Sequence, residues 1–259
     1  MPTVPLEKLS NPPIVEVVCG IIFNPLKIDP LVLAPYRAAK AGAFPKHQLQ
    51  PAIEEPTAGA PPPFVLRAGV PPLRTWLFSA DDAFVLQIQH DRFYLNWRRI
   101  ADREYPRFSD RGSSKPGLLS RVLEEFREFS EFCEAIGAGR PVPTRIELAK
   151  VDHLVEGRHW KGVQELAAML PWLSPLLGMA RSEAPGLNVQ FMEPRESGVL
   201  AISFESAYLE ATRLAKLESR VTKATAPDRV RQSFIDADLE LNEVFERLIP
   251  KPQRDAKFQ

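Results

Sequence analysis

The side chains best suited to chemistry crowd one short string. Between Phe93 and Phe108 the chain reads FYLNWRRIADREYPRF, with Asn96, Arg98, Arg99, Tyr105 and Arg107 set among aromatic residues. A guanidinium presents a planar fork of donors that grips a phosphate or carboxylate in bidentate fashion, and a tyrosine ring offers a nucleobase a surface to stack on. Those five residues are therefore the candidate ligand-binding set. Alternation along an extended strand sends Trp97 to the side of Phe93 and Leu95, the expected core side, and sends Asn96 and Arg98 to the other side with Tyr94. A structural reading competes with this one. An arginine beside aromatic rings at a strand end ordinarily packs its stem and pairs with a nearby acid, and Asp102 and Glu104 are at hand.

Other reactive residue types are scattered. His90, Asp91, Asp152 and His153 have metal-ligand chemistry, but neighbours on a strand face opposite ways, so neither adjacent pair chelates one ion, and no third histidine or cysteine stands at ligand spacing. We expect no metal and no cofactor. Asp152 and His153 read as a surface pair, and His47 and His159 as solitary residues of polar loops. Glu147, Asp152 and His153 would be the suspects if the chain were an enzyme with dispersed catalytic groups. There is no G-x-S-x-G elbow and no phosphate loop; Gly112–Lys115 reads as a solvated linker with Ser113 or Ser114 near a helix cap. No catalytic residue is assigned.

Charge narrows the partner classes. The 33 basic residues balance 33 acidic ones, so no global field draws the protein to nucleic acid or to an anionic membrane. Arg92, Arg98, Arg99, Arg103, Arg107 and Arg111 do gather, yet Asp91, Asp102, Glu104 and Asp110 interleave with them, which makes a nucleic-acid surface unpersuasive. The first ten residues lack a charged region followed by an apolar run, and no window is apolar enough to span a bilayer, so a cytoplasmic protein without a membrane segment is expected. Cys19 and Cys133 both sit in apolar surroundings and read as core residues rather than a disulfide.

The elements that position these residues follow from periodicity. Ile14–Phe23 is a nearly continuous β-branched run, as in a strand covered on much of both faces. Leu31–Ala41 reads as a short helix. Ala83–Gln89 and Phe93–Trp97 alternate across a turn at His90-Asp91 and form a hairpin. Leu119, Val122, Phe126, Phe129, Cys133 and Ile136 recur at helical steps, and Gly137 closes that long helix. A second round comprises a strand at Arg145–Val155, a short helix at Gly162–Leu170, a hairpin of Leu187–Met192 with Gly198–Phe204, and a final helix striped by Val230, Phe234, Leu241, Phe245 and Leu248. Proline makes up 26 of 259 residues and crowds Phe44–Leu73, which reads as a long irregular connection with at most a short edge strand at Phe64–Arg67.

The order strand, short helix, hairpin, long helix thus occurs twice. The expected fold is α+β: one or two curved antiparallel sheets with two long helices on one face, in the manner of TATA-binding-protein-like or helix-grip proteins. Units of 1–137 and 138–259, related by a pseudo-twofold, would form one compact domain. Fold analogy transfers no function.

Three strings, LSNPPIVEVVCGIIF from Leu9, QIQHDRFYLNWRRIADREYPRF from Gln87 and DLELNEVFERLI from Asp238, resemble a sporadically distributed family of bacterial proteins of uncharacterised function. The central strand RIELAKVDHL departs from the family's usual arginine- and asparagine-bearing string. The family's patchy distribution implies mobile genes and hence a defence or toxin-antitoxin-like setting. The expectation is a non-enzymatic interaction protein with a protein partner. The alternative is a small-molecule or nucleotide binder with its ligand between sheet and long helices, contacted by Asn96, Arg98 or Arg107. A homodimer through the apolar-striped last helix is equally compatible with that stripe.

Overall fold

A computed structural model of the chain describes residue 9 and residues 12–53, 73–101, 105–109, 116–179, 186–209 and 212–258. Within them the period-two stretches form one large antiparallel sheet and the period-3.6 stretches form six α-helices, an α+β architecture. The strands are β1 (Ile14–Phe23), β2 (Lys46–Pro51), β3 (Leu73–Phe78), β4 (Phe84–Gln89), β5 (Arg92–Arg98), β6 (Pro143–Val155), β7 (Asn188–Arg195), β8 (Gly198–Leu209) and β9 (Thr212–Ala224). The helices are α1 (Ala34–Lys40), α2 (Leu118–Ala135), α3 (Gly162–Met169), α4 (Ser174–Met179), α5 (Val230–Leu248) and α6 (Lys251–Lys257).

Across the sheet the strands run β2-β3-β4-β5-β1-β6-β9-β8-β7. Thus β1 and β6 lie side by side at its middle, with Cys19 opposite Leu148 and Gly20 opposite Glu147. Each also pairs with the last strand of the run that follows it, β1 with β5 and β6 with β9.

Several elements depart from expectation. Phe44–Leu73 is not irregular throughout: β2 occupies Lys46–Pro51, with prolines only at its margin and end, and it lies at the sheet's edge, where a missing donor costs least. The possible strand at Phe64–Arg67 and the Gly112–Lys115 linker lie outside the described residues. Strands β3 and β9 were not anticipated. Yet the β9 sequence alternates strictly, with buried Ala215, Leu217, Ser219 and Val221 between Lys216, Glu218, Arg220 and Thr222. Its density of charge disguised a half-buried strand as a loop.

One face of the sheet carries the main core. Val17, Cys19, Ile21, Phe93, Leu95, Ile146 and Leu148 pack with Val122, Phe129 and Cys133 of α2 and with Phe234, Leu241 and Val244 of α5. Each such side chain contributes roughly 1.5–3 kcal/mol on leaving water. Phe129 sits at a ring cluster, its centroid 5.3 Å from Phe93 and 5.9 Å from Phe23. Helix α2 stops in a Schellman motif: Gly137 has φ +72°, its N–H donates to Glu134 O at 3.1 Å, and the next N–H, of Ala138, donates to Cys133 O at 2.9 Å. Both cysteines are buried and free. A second cluster joins Leu154, Trp160, Leu166, Met169, Phe204, Phe245 and Phe258.

A polar seam separates the two clusters. Between Leu148 and Leu154 the same face of β6 offers Lys150 and Asp152, and Lys150 Nζ lies 2.6 Å from both Asp238 Oδ1 and Asn242 Oδ1 on α5. Ser219, opposite Lys150 on β9, is buried beside it in the register. Replacing Lys150 with Met leaves the Asp238 carboxylate buried without its cation and is expected to cost about 3–5 kcal/mol in urea unfolding. Combining it with Asp238→Leu is expected to recover most of that loss, because no charge is then left to desolvate.

Candidate functional site

The face of the sheet turned away from this core is built from the alternate residues of the same strands. On β5 these are Arg92, Tyr94, Asn96 and Arg98, and register sets Tyr94 opposite Gly20, Asn96 opposite Val18 and Arg98 opposite Glu16. The tyrosine ring lies over Gly20 so closely that a Cβ there would stand 2.3 Å from its Cε1. Only glycine leaves room for the ring to cross β1. Beyond it the Tyr94 hydroxyl reaches Glu147 Oε2 at 3.5 Å, and Arg220 on β9 donates to Glu147 Oε1 at 3.0 Å and to Glu218 Oε1 at 2.7 Å. Burial pushes the Tyr94 hydroxyl up to about 12, with Glu147 adding to the rise. Burial likewise raises the Glu147 carboxyl, although Arg220 and Arg92 oppose it.

Next to this relay is a more open-ended group. Asn96 is only 4% exposed and donates through Nδ2 to Glu16 Oε1 at 2.8 Å, while its own Oδ1 has no partner among the described residues. Arg98 stands off the same carboxylate oxygen at 3.6 Å and lies 5.7 Å from the Trp76 ring centroid. Arg74 approaches that ring at 5.0 Å and donates to Gln87 Oε1 at 2.8 Å. Two further buried atoms, Arg74 Nε and Trp76 Nε1, also lack partners among the described residues. Buried polar atoms are nearly always satisfied by protein or water. Three such atoms, without a partner among the described residues, gather around Trp76, Arg98 and Glu16, which makes this strip the candidate site.

The structure divides the five residues singled out in the sequence. Asn96 and Arg98 share this face, as alternation required. Arg99, one residue on, leaves it: its N–H donates to Val15 O and its Nη2 to Pro12 O at 3.0 Å, and its charge acts on Asp152. Tyr105 lies against Trp97 on the core side, the two rings tilted with centroids 5.2 Å apart, so its ring is engaged within the protein. Arg107 lends its carbonyl to Leu118 N at 3.0 Å, at the start of α2. Among the described residues the acid that Arg98 faces is Glu16; Asp102 and Glu104 lie outside them. Glu16, Arg74 and Trp76 were missed, although a lone glutamate in an apolar strand and a tryptophan between threonine and leucine were visible signals.

The Asp152-His153 surface pair is corrected. Asp152 is 6% exposed on the core side, with its carboxyl pushed up to about 7 by burial, whereas His153 takes the opposite face and its half-buried ring is lowered by burial and by Lys216. Glu147 shares the His153 face but lies six residues along β6, about 20 Å away at strand rise. His47 belongs to β2, and His159 is buried against Phe258, where its Nδ1 accepts from Val155 N at 2.8 Å and burial lowers its pKa to about 4. Among the described residues no group of three or more histidine, cysteine or acidic side chains could hold a metal ion. An apolar cavity of about 70 Å³ beside the second cluster, lined by Trp160, Leu166, Phe204 and Leu214, has room for about two waters and not for a nucleotide.

Two outcomes follow from this geometry. Gly20→Ala should displace Tyr94 and destabilise the fold by about 1–3 kcal/mol, read as a lower urea midpoint. Asp152 is held protonated in the native state to about pH 7, against an ordinary value of 3.8. As pH rises between those values the unfolded chain ionises first, so the native state loses up to about 4 kcal/mol relative to its stability at low pH. The stability of Asp152→Asn relative to wild type should therefore grow from pH 4 to pH 7 and then level off in pH-dependent unfolding curves.

The chain matches no protein-family model and no curated protein.

Proposed function

We propose that this chain is a non-enzymatic binding protein that holds a protein partner against the Arg74–Trp76–Asn96–Arg98 strip. The observation that carries the reading is the buried Oδ1 of Asn96, without a partner among the described residues, beside the Arg98 guanidinium, which stands 3.6 Å off Glu16. A partner segment that fits supplies a donor to Asn96, a carboxylate to Arg98 and an apolar or aromatic group to Trp76. The bacterial defence or toxin-antitoxin-like setting rests on the family resemblance of the three strings, which also motivates the choice of a protein partner.

The proposed architecture behind this site is a pair of strand-helix-meander-helix units, 1–137 and 138–259. Together they form one curved sheet with α2 and α5 on one face. Support comes from the central β1–β6 pairing and from each unit's last strand returning to its first. In that arrangement the binding strip lies on the face away from the long helices.

A second reading, a nucleotide or other small anionic ligand, draws on two guanidiniums beside one indole, where a base would stack on Trp76 and a phosphate would bridge Arg74 and Arg98. Catalysis is the weakest reading, since Glu147, Asp152 and His153 are divided between two faces.

Affinity purification from the native host with wild type, Arg98→Glu and Asn96→Ala tests the first reading. A protein recovered by wild type should be lost with Arg98→Glu, and its affinity should fall about tenfold with Asn96→Ala, the value of one hydrogen bond. Titration with ATP and GTP tests the second, which requires indole quenching that disappears in Trp76→Leu. Absence of both a stable protein partner and quenching overturns the proposal.

A further inference from the structure

Among the described residues the sheet ends in two edge strands, and they are not alike. At one edge, β2 reads KHQLQP: Lys46 is tied to Asp82 at 2.7 Å, Pro51 ends the strand, and Leu49 is its one large apolar residue. Charge and proline of this kind blunt an edge. At the other edge, β7 reads NVQFMEPR, and Phe191 and Met192 are 52% and 65% exposed. Adjacent residues of a strand point to opposite faces, so this edge shows a large apolar side chain on both.

The direction of the free backbone groups can be read from the register. Arg195 pairs with Gly198 across a two-residue turn, and Ser206 N donates to Leu187 O at 2.9 Å. The odd-numbered residues of β7 therefore bond β8. Asn188, Gln190, Met192 and Pro194 turn their backbone groups outward, and Pro194 among them has no N–H.

We infer that β7 is the dimerisation edge of this protein and that its partner is β7 of a second copy, antiparallel and centred on Phe191. In that register Gln190 faces Met192 of the second copy, and each of the two such pairs exchanges two hydrogen bonds. Asn188 faces Pro194, and each of those two pairs adds one bond from Asn188 N–H. Phe191 meets its own counterpart at the twofold axis, in the closer, non-hydrogen-bonded type of pair. A register centred on Met192 loses bonds, because both Gln190 N–H groups and the two proline carbonyls then supply all but the central pair. A register centred on Glu193 sets two carboxylates face to face.

No like charges meet in the Phe191-centred register, and a chain with 33 basic and 33 acidic residues has no net charge to hold copies apart. The same patch on both subunits closes the assembly at two, whereas pairing of β7 with β2 would propagate without end.

Sedimentation equilibrium and oxidative cross-linking test this together. Wild type should be a dimer, and Met192→Lys, a change at an exposed side chain, should raise its dissociation constant at least about tenfold while leaving the thermal midpoint intact. Phe191→Cys should form a covalent dimer on mild oxidation, since Cα atoms about 4.5 Å apart across such a pair lie within disulfide range. Leu49→Cys on the other edge should not. The native Cys19 and Cys133 are buried and do not compete. A monomeric wild type, an open series of higher oligomers, or a dimer that survives Met192→Lys and leaves Phe191→Cys uncross-linked overturns the inference.

Discussion

Everything in this fold is referred to the antiparallel pairing of β1 with β6. Those two strands share the middle of the sheet, and each also takes the last strand of its own run on its other side. A strand paired on both edges has all its backbone groups satisfied within the sheet, so its side chains are free to specialise by face. On β1 the consequence is a nearly complete division. Val17, Cys19 and Ile21 enter the core, while Glu16 and Gly20 serve the opposite surface.

That division explains why polar groups occur on both faces without competing. Toward the helices, Lys150 and Asn242, both partly buried, close on the buried Asp238 between two apolar clusters. An ion pair there adds little net stability but penalises any register that would separate its partners. Away from the core, Tyr94 crosses Gly20 to join Glu147 and Arg220, which stitches β5, β1, β6 and β9 together by side chains as well as by backbone. The atoms of Asn96, Trp76 and Arg74 that lack a partner among the described residues adjoin this stitched region.

Much of this was legible in residue order, and the exceptions have a physical pattern. The β4–β5 hairpin, α2 with its glycine stop, β6 and α5 were read from periodicity because each buries a continuous stripe. Strand β9 was lost because its outward residues are lysine, glutamate and arginine, and β2 because prolines flank it. Asp152, a charged residue beside a histidine, has the local pattern of an exposed one. Its burial depends on Ile14 and Leu217 from neighbouring strands, which no local pattern names.

Residue order by itself determined the alternation that sends Asn96 and Arg98 one way and Trp97 the other, because strand geometry has a period of two wherever the strand lies. It also determined the helix stop at Gly137, because a positive φ there is cheap only for glycine. Tertiary structure alone decided which strangers meet: Glu16 with Asn96, Trp76 with Arg98, and Lys150 with Asp238. These contacts join residues up to 88 positions apart, as with Lys150 and Asp238 across the sheet-helix interface. Such meetings are fixed by strand order and by the packing of a shared core, and neither is written in any short stretch of chain.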